Sequence, residues 1–253
     1  MKNILAALMF FTKLPFWRIA TVDKDHFRNV VHYWPFAGIV TGGIGAGVMF
    51  GASFVFPVTV AVIFGVAARV LVTGALHEDG LADFFDGFGG GNTKEDVLRI
   101  MKDSHIGSYG VLGLVLYFAL LVAILSSLPV KAAVLLFFVG DILCKGVSGS
   151  IVNLLPYARD EHGSKNKVVY NRIPMPLALF VKVLLLAMCV FVYGMLLPRC
   201  MAFAVVAPVV VLWVLSSYMR RRIGGYTGDC CGAMFLLSEL SFLVASLGII
   251  HFI

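Results

Sequence analysis

Charge is what this sequence has least of. Only 13% of its 253 residues are Asp, Glu, Lys or Arg, while 60% are hydrophobic. A soluble domain carries about 25% charged residues, so an ordinary water-soluble globule is excluded. Zinc spacing is also missing. The five cysteines are Cys144, Cys189, Cys200, Cys230 and Cys231, and none form the paired ligand pattern of a structural metal. Cys230 and Cys231 are adjacent and poorly placed to bridge each other, so the thiols read as small apolar residues. A cleavable leader is not expected, because Thr12-Lys13-Leu14-Pro15 follows the first apolar run without a small-residue cleavage site. Internal repeats and low-complexity tracts are lacking too. The net charge of +6 would suggest a nucleic-acid partner only as a soluble basic patch. Its distribution along the chain has a different cause, and no nucleic acid is expected.

What is present is a series of apolar runs long enough to cross a bilayer, for which about 20 helical residues suffice. Seven spans are expected at 34–56, 58–76, 108–128, 131–153, 177–197, 201–218 and 232–253. Very short turns at Pro57, at 128–130 and at 198–199 make helical hairpins of spans 1–2, 3–4 and 5–6. The fold class is therefore all-α, a polytopic integral membrane helical bundle. Residues 1–253 form a single transmembrane catalytic domain, with 1–33 a cytoplasmic or interfacial segment and 1–11 an interfacial helix. Fifteen of the 20 Lys and Arg residues fall on the side of the long connections, which the positive-inside rule makes cytoplasmic. Twelve of the 14 acids share that side. Polar chemistry gathered at one membrane face suits an enzyme better than a transporter, which needs polar groups at the midplane.

The densest such chemistry is the cytoplasmic segment 77–107. It opens His77-Glu78-Asp79-Gly80-Leu81-Ala82-Asp83-Phe84-Phe85-Asp86-Gly87. Asp79, Asp83 and Asp86 stand at i, i+4 and i+7, one face of a helix. Three carboxylates so close resist ionising together unless a cation offsets them. Oxygen-only ligands suit a hard ion such as Mg²⁺. Gly87, Gly89, Gly90 and Gly91 then let the chain turn. Downstream, Lys102 and His105 can meet phosphate oxygens and Asp103 adds a carboxylate, although an interfacial helix cap explains these residues equally well. Gly224-Gly225-Tyr226-Thr227-Gly228-Asp229 is a glycine-rich loop opening a helix, a geometry that favours anions, but it lacks the Gly-Lys-Ser/Thr ending of a P-loop. Arg220, Arg221 and Arg222 before it read as membrane anchors. Arg159 and the cations from Lys165 to Arg172 can meet an anionic substrate or lipid headgroups. Inside the spans, Arg69, Asp141, Lys145 and Glu239 are expected to face the bundle interior, although Arg69 could instead snorkel to the interface. Asp141 and Lys145 are spaced for a local ion pair, and Glu239 can pair with Arg69 or Lys145. In the first span, Gly43, Gly47 and Gly51 share a face expected to pack closely on another helix.

Three motifs in order, HEDGLADFFDG, RIMKDSHIGSYG and GGYTGDCCGAMFLLSEL, together with the opening ALMFFTKLP, resemble the cobalamin synthase family (adenosylcobinamide-GDP ribazoletransferase) across nearly the whole chain. His105 and Lys145 stand where that family commonly has arginine, which forgoes a bidentate phosphate grip. The resemblance implies transfer of the cobinamide phosphate of adenosylcobinamide-GDP to α-ribazole or its 5′-phosphate, releasing GMP and closing the nucleotide loop of cobalamin. It implies Mg²⁺ held by Asp79, Asp83 and Asp86, with one of these or His77 taking the proton. Lys102, Asp103, His105, Arg159, Lys145, Thr227, Gly228 and Asp229 become substrate-binding candidates, with Asp229 either completing the metal site or orienting a ribose hydroxyl. The expected setting is the cytoplasmic (inner) membrane, with the active site facing the cytoplasm. A homo-oligomer, or a complex with other cobamide-assembly enzymes, stays open.

Two rival functions follow from the same residues. A CDP-alcohol phosphotransferase also places aspartates at a cytoplasmic helix end. Its motif needs Ala-Arg after Asp-Gly, where this chain has Leu81-Ala82-Asp83. A cation transporter would use the aspartates as a vestibule, but Asp141 and Glu239 are the only acids within the spans.

Overall fold

A computed structural model describes residues 2–159, 169–180, 183, 184, 187 and 203–252. Among these the chain is helical, and its only bridge is an isolated parallel one between Tyr157 and Tyr226. The helices are α1 (Lys2–Phe11), α2 (Lys24–Phe27), α3 (Trp34–Ala52), α4 (Val58–Thr73), α5 (Leu76–Gly90), α6 (Lys94–Ile100), α7 (Ser108–Ser126), α8 (Val130–Ser148), α9 (Ile151–Leu154), α10 (Val206–Ile223) and α11 (Gly228–His251).

Four stretches are long and apolar enough to cross a membrane: Val30–Ala52, Ser108–Ser126, Phe203–Ile223 and Gly228–His251. They answer to the expected first, third, sixth and seventh spans, so this is a membrane protein. The expected second span is α4, whose 16 residues join α5 at an 89° bend. Gly74 and Ala75, both with positive φ, make that corner. Glycine takes this conformation readily, whereas Ala75 holds it at a steric cost. The bend turns α5 away from the line of α4. The expected fourth span is α8, which carries Lys131, Asp141 and Lys145. Most of the expected fifth span, 177–197, lies outside the described residues, as do Lys165 and Lys167. The expected last span begins earlier than anticipated, at Gly228, because the buried Thr227 hydroxyl accepts the Cys230 N–H and caps the helix.

Between apolar helices in lipid, attraction comes from close packing and polar contacts rather than from expulsion of water. Helix α3 shows this. A Cβ on Gly42 would lie 2.9 Å from the Asp141 Cβ, and one on Gly45 would lie 2.9 Å from the Gly65 carbonyl oxygen. The close-packing face is thus Gly38, Gly42 and Gly45, against α4 and α8. The expected face of Gly43, Gly47 and Gly51 is a correction. Nothing lies within 4 Å of a Cβ on Gly47 or Gly51, and only the Phe138 ring approaches Gly43.

The close approach of these helices encloses a polar cluster. Arg69 on α4 binds both carboxylate oxygens of Glu239 on α11 and lies 3.4 Å from Asp141 on α8. The Tyr117 hydroxyl of α7 donates to Glu239 at 2.9 Å and accepts from Arg69 at 3.0 Å. Lys145 binds Asp141 and the Thr41 hydroxyl, each at 2.6 Å. Two cations and two anions balance with no water access. Five helices meet on them.

Helix α1 is docked rather than loose. Ala6, Ala7 and Phe11 are buried, and Phe11 stacks on Trp34 at 5.0 Å.

Candidate active site

The acidic segment folds as the helix its spacing predicts. Leu81, Phe84 and Phe88 are buried beneath it, and the helix runs through Gly87 to Gly90 before turning at Gly91. The three aspartates have different surroundings: Asp79 is exposed, Asp83 half-buried and Asp86 buried. Asp86 accepts the backbone N–H of Gly107 at 2.7 Å and of Gly110 at 2.8 Å. It therefore caps the start of α7, taking two of the amides that a helix leaves without a partner. Both of its oxygens serve this purpose. That corrects the expectation of three equivalent carboxylates.

Asp79 instead faces a cleft of about 80 Å³. Across it stands Asp229, in the first turn of α11. The two helices approach closely because Gly80 and Gly232 lack side chains. A Cβ on Gly80 would sit 2.9 Å from the Asp229 carbonyl oxygen, and one on Gly232 would sit 3.0 Å from that of His77. Gly80→Ala must push backbone from backbone and so shift Asp79 relative to Asp229. Displacing reacting groups by a fraction of an ångström to an ångström costs up to about a hundredfold in rate. We expect kcat/KM to fall at least about tenfold, with the melting temperature in detergent changed by only a few degrees. Wild-type turnover by this variant would show that the helix spacing is not critical.

The cleft walls are aromatic. Phe10, Phe11, Trp34 and Tyr170 line it with His77 and Gly228. His77 is buried, 5.6 Å from the Trp34 ring and 4.9 Å from that of Phe235. Tyr170 comes from the connection after α9, where the next residue is held by Asn171 N–H to the Arg28 carbonyl, His32 to the Asn171 carbonyl, and the Asn171 side chain to Asn29. Burial, with Cys231, Tyr157 and Tyr226 close by, holds the Tyr170 phenol well above its ordinary pKa. It is a hydroxyl at neutral pH. Trp34 and Tyr170 were not anticipated from the sequence, where neither stands in a polar motif.

The other anticipated residues divide. Thr227 is the buried cap described above, and Gly228 opens α11 beside Tyr170. Lys145 is a correction. It lies in the bundle interior, satisfied by Asp141 and Thr41 and set 4.7 Å from the Phe235 ring, and so is engaged structurally. Lys102, Asp103 and His105 lie on an exposed loop. Asp103 accepts the His105 backbone N–H at 3.0 Å and lies 2.8 Å from its ring nitrogen. The backbone bond first, then the ring, holds the Asp103 carboxyl below its ordinary pKa. Arg159 donates to the Leu98 carbonyl at 2.7 Å, and Arg222 to that of Gly91 at 2.6 Å. These arginines satisfy helix-end carbonyls at the polar face. The Tyr157–Tyr226 bridge holds the same region, with Ala158 N–H to the Tyr226 carbonyl at 2.8 Å.

Among the described residues, no three carboxylate, imidazole or thiol groups gather as a metal site. The donors fit Mg²⁺ in a more limited way. Asp79 and Asp83 are one helical turn apart on α5, and among the described residues of the cleft's lining the charged groups are hard carboxylate oxygens. Mg²⁺ commonly takes one or two carboxylates and completes its shell with water and substrate phosphate.

Comparison with known proteins places this arrangement. Residues 3–247 match the profile of the family described as cobalamin-5-phosphate synthase. A protein of Shewanella frigidimarina (strain NCIMB 400) named adenosylcobinamide-GDP ribazoletransferase is 39% identical over 241 residues, covering 92% of this chain and 89% of its own. Proteins of the same name from Shewanella woodyi (strain ATCC 51908 / MS32) and Shewanella amazonensis (strain ATCC BAA-1098 / SB2B) are 36% and 35% identical. They cover 96% and 93% of this chain, and 94% and 91% of their own lengths. Solved structures offer no match. With full-length relatives and a family profile spanning the acidic helix and the α11 entrance, the chain belongs to the cobalamin-5-phosphate synthase family.

Proposed function

We propose that this protein transfers the cobinamide phosphate of adenosylcobinamide-GDP to a hydroxyl of α-ribazole or of its 5′-phosphate. The hydroxyl oxygen bonds to the cobinamide-linked phosphorus, the bond to the bridging oxygen breaks, and GMP leaves. The observation that carries this reading is the meeting of Asp79 and Asp229 across one cleft, in a chain of this family. Phosphoryl transfer needs positioning and charge neutralisation above all. Asp79 and Asp83 would hold Mg²⁺, which when bound neutralises the diphosphate. Asp229, across the cleft, orients the acceptor hydroxyl and can take its proton. The buried His77 packs beneath the cleft. The setting we infer is the cytoplasmic membrane, with the cleft on the cytoplasmic side, since the basic residues collect there.

The direct test uses the full chain in liposomes with Mg²⁺, adenosylcobinamide-GDP and α-ribazole. GMP and a cobamide should form in equal amounts. No product, under conditions where a relative of the same name is active, would end this reading. Product formed equally well in excess chelator would remove the metal from it.

A further inference from the structure

Two side chains lining the cleft each carry a polar atom that the proposed chemistry leaves unused. Trp34 and His77 both line it, at 1% and 3% exposure. Among the described residues the Trp34 Nε1 and the His77 Nε2 have no hydrogen-bond partner. Buried polar groups are nearly always paired, so the unpartnered indole N–H of a lining residue calls for an acceptor on a ligand. Stacking at 14° to Phe11 fixes the plane of the Trp34 ring.

The lining restricts the ligand. Among the described residues its charged side chains are Asp79 and Asp229, with no lysine or arginine. Beside two carboxylates a phosphate needs a cation, which the Mg²⁺ ligands Asp79 and Asp83 would hold at the polar edge, and the aromatic part of the cleft is left for a neutral group. Flat aromatic walls favour a flat neutral ring. The indole N–H is a donor only, so that ring must offer an acceptor. A volume near 80 Å³ admits the edge of a planar ring system and excludes a corrin.

We propose that this cleft is the subsite for the planar nitrogenous base of the acceptor nucleoside, with the Trp34 indole N–H donating to the base's unsubstituted ring nitrogen. This rests on the transfer reading above, and it adds to Asp229's hold on the acceptor hydroxyl a hold on the acceptor's other end. With the ring nitrogen inward, the sugar on the other ring nitrogen lies at the mouth, beside Asp79 and Asp229. That is where its hydroxyl must be to attack.

The chain has three tryptophans, so ¹⁵N labelling gives three indole resonances, and Trp34→Phe identifies one by its loss. Titrating wild-type protein in detergent with α-ribazole, or with benzimidazole alone, should move the Trp34 resonance downfield. Indene, of the same shape without ring nitrogen, should not. Trp34→Phe keeps a stacking ring, and should raise KM for α-ribazole about tenfold while leaving KM for adenosylcobinamide-GDP unchanged. A Trp34 resonance unmoved by both bases, or moved equally by indene, overturns the subsite. If that happens while wild-type protein still releases GMP, the transfer reading stands and the subsite alone is wrong. If the resonance moves with benzimidazole but no GMP is released, the base site stands and the transfer reading falls.

Discussion

Glu239→Ala is expected to cost about 3–5 kcal/mol of folding stability, the range for breaking a buried ion pair by removing one partner. The loss comes less from the missing contact than from what stays behind. Arg69 is 1% exposed and held by Glu239, Tyr117 and Asp141. Asp141 is already engaged by Lys145 and Thr41. Without Glu239 the cluster carries a positive charge in the interior of the bundle that has lost its two-oxygen partner, with the buried Glu78 of α5 acting on it only at longer range. Arg69→Met with Glu239→Leu removes a neutral pair together. It leaves Asp141 and Lys145 balanced, so this double variant should lie within about 2 kcal/mol of wild type. Unfolding by SDS from mixed micelles measures both. A stable Glu239→Ala protein, or a double variant worse than the single, would contradict the charge account.

Much of this cluster was legible in the sequence. Asp141 and Lys145 are four residues apart on one helix, and few other charges fall within the spans, so pairing was nearly forced. Local spacing carried that information. It also carried the acidic helix, where apolar residues alternate with aspartates at helical intervals. It could not reveal the cap on α7, because Asp86 meets Gly107 and Gly110 through a fold-back of more than twenty residues. The glycines of α3 make the same point. Two small-residue faces were available, and the one that packs was decided by where α4 and α8 lie. Gly38, Gly42 and Gly45 follow the i, i+4, i+7 track of a real helix face, whereas a strict four-residue repeat such as Gly43, Gly47, Gly51 drifts around it. Trp34, at the start of α3, and Tyr170, in the connection after α9, come to the cleft from positions remote in sequence, and nothing in their neighbours signals it. The polar loop motif at 102–105 misled in the opposite sense. Its residues are chemically apt for phosphate, yet Asp103 and His105 are engaged with each other.

The aspartates of α5 give the other large effect, and they should separate by what is lost. Asp79→Asn keeps size and shape and removes a negative charge from an exposed position at the cleft. Nothing in the packing depends on that charge, so stability should change by less than about 0.5 kcal/mol, as for other surface substitutions. Turnover should fall by about three orders of magnitude or more, the scale seen when a group stabilising transition-state charge is removed. Asp86→Ala should do the reverse. It strips the buried Gly110 amide and the half-buried Gly107 amide of their acceptor, at about 1–3 kcal/mol for the buried one and less for the other. Frayed at its entrance, α7 should unfold at lower SDS concentration. Asp86→Asn offers one acceptor oxygen in place of two and should fall between, with measurable turnover in whatever fraction stays folded. Stability and kcat measured on the same preparations decide the matter. If Asp86→Asn is fully folded but as inactive as Asp79→Asn, Asp86 belongs to the catalytic set and the cap is incidental. If Asp79→Asn turns over normally, the cleft between α5 and α11 is not where phosphate is transferred.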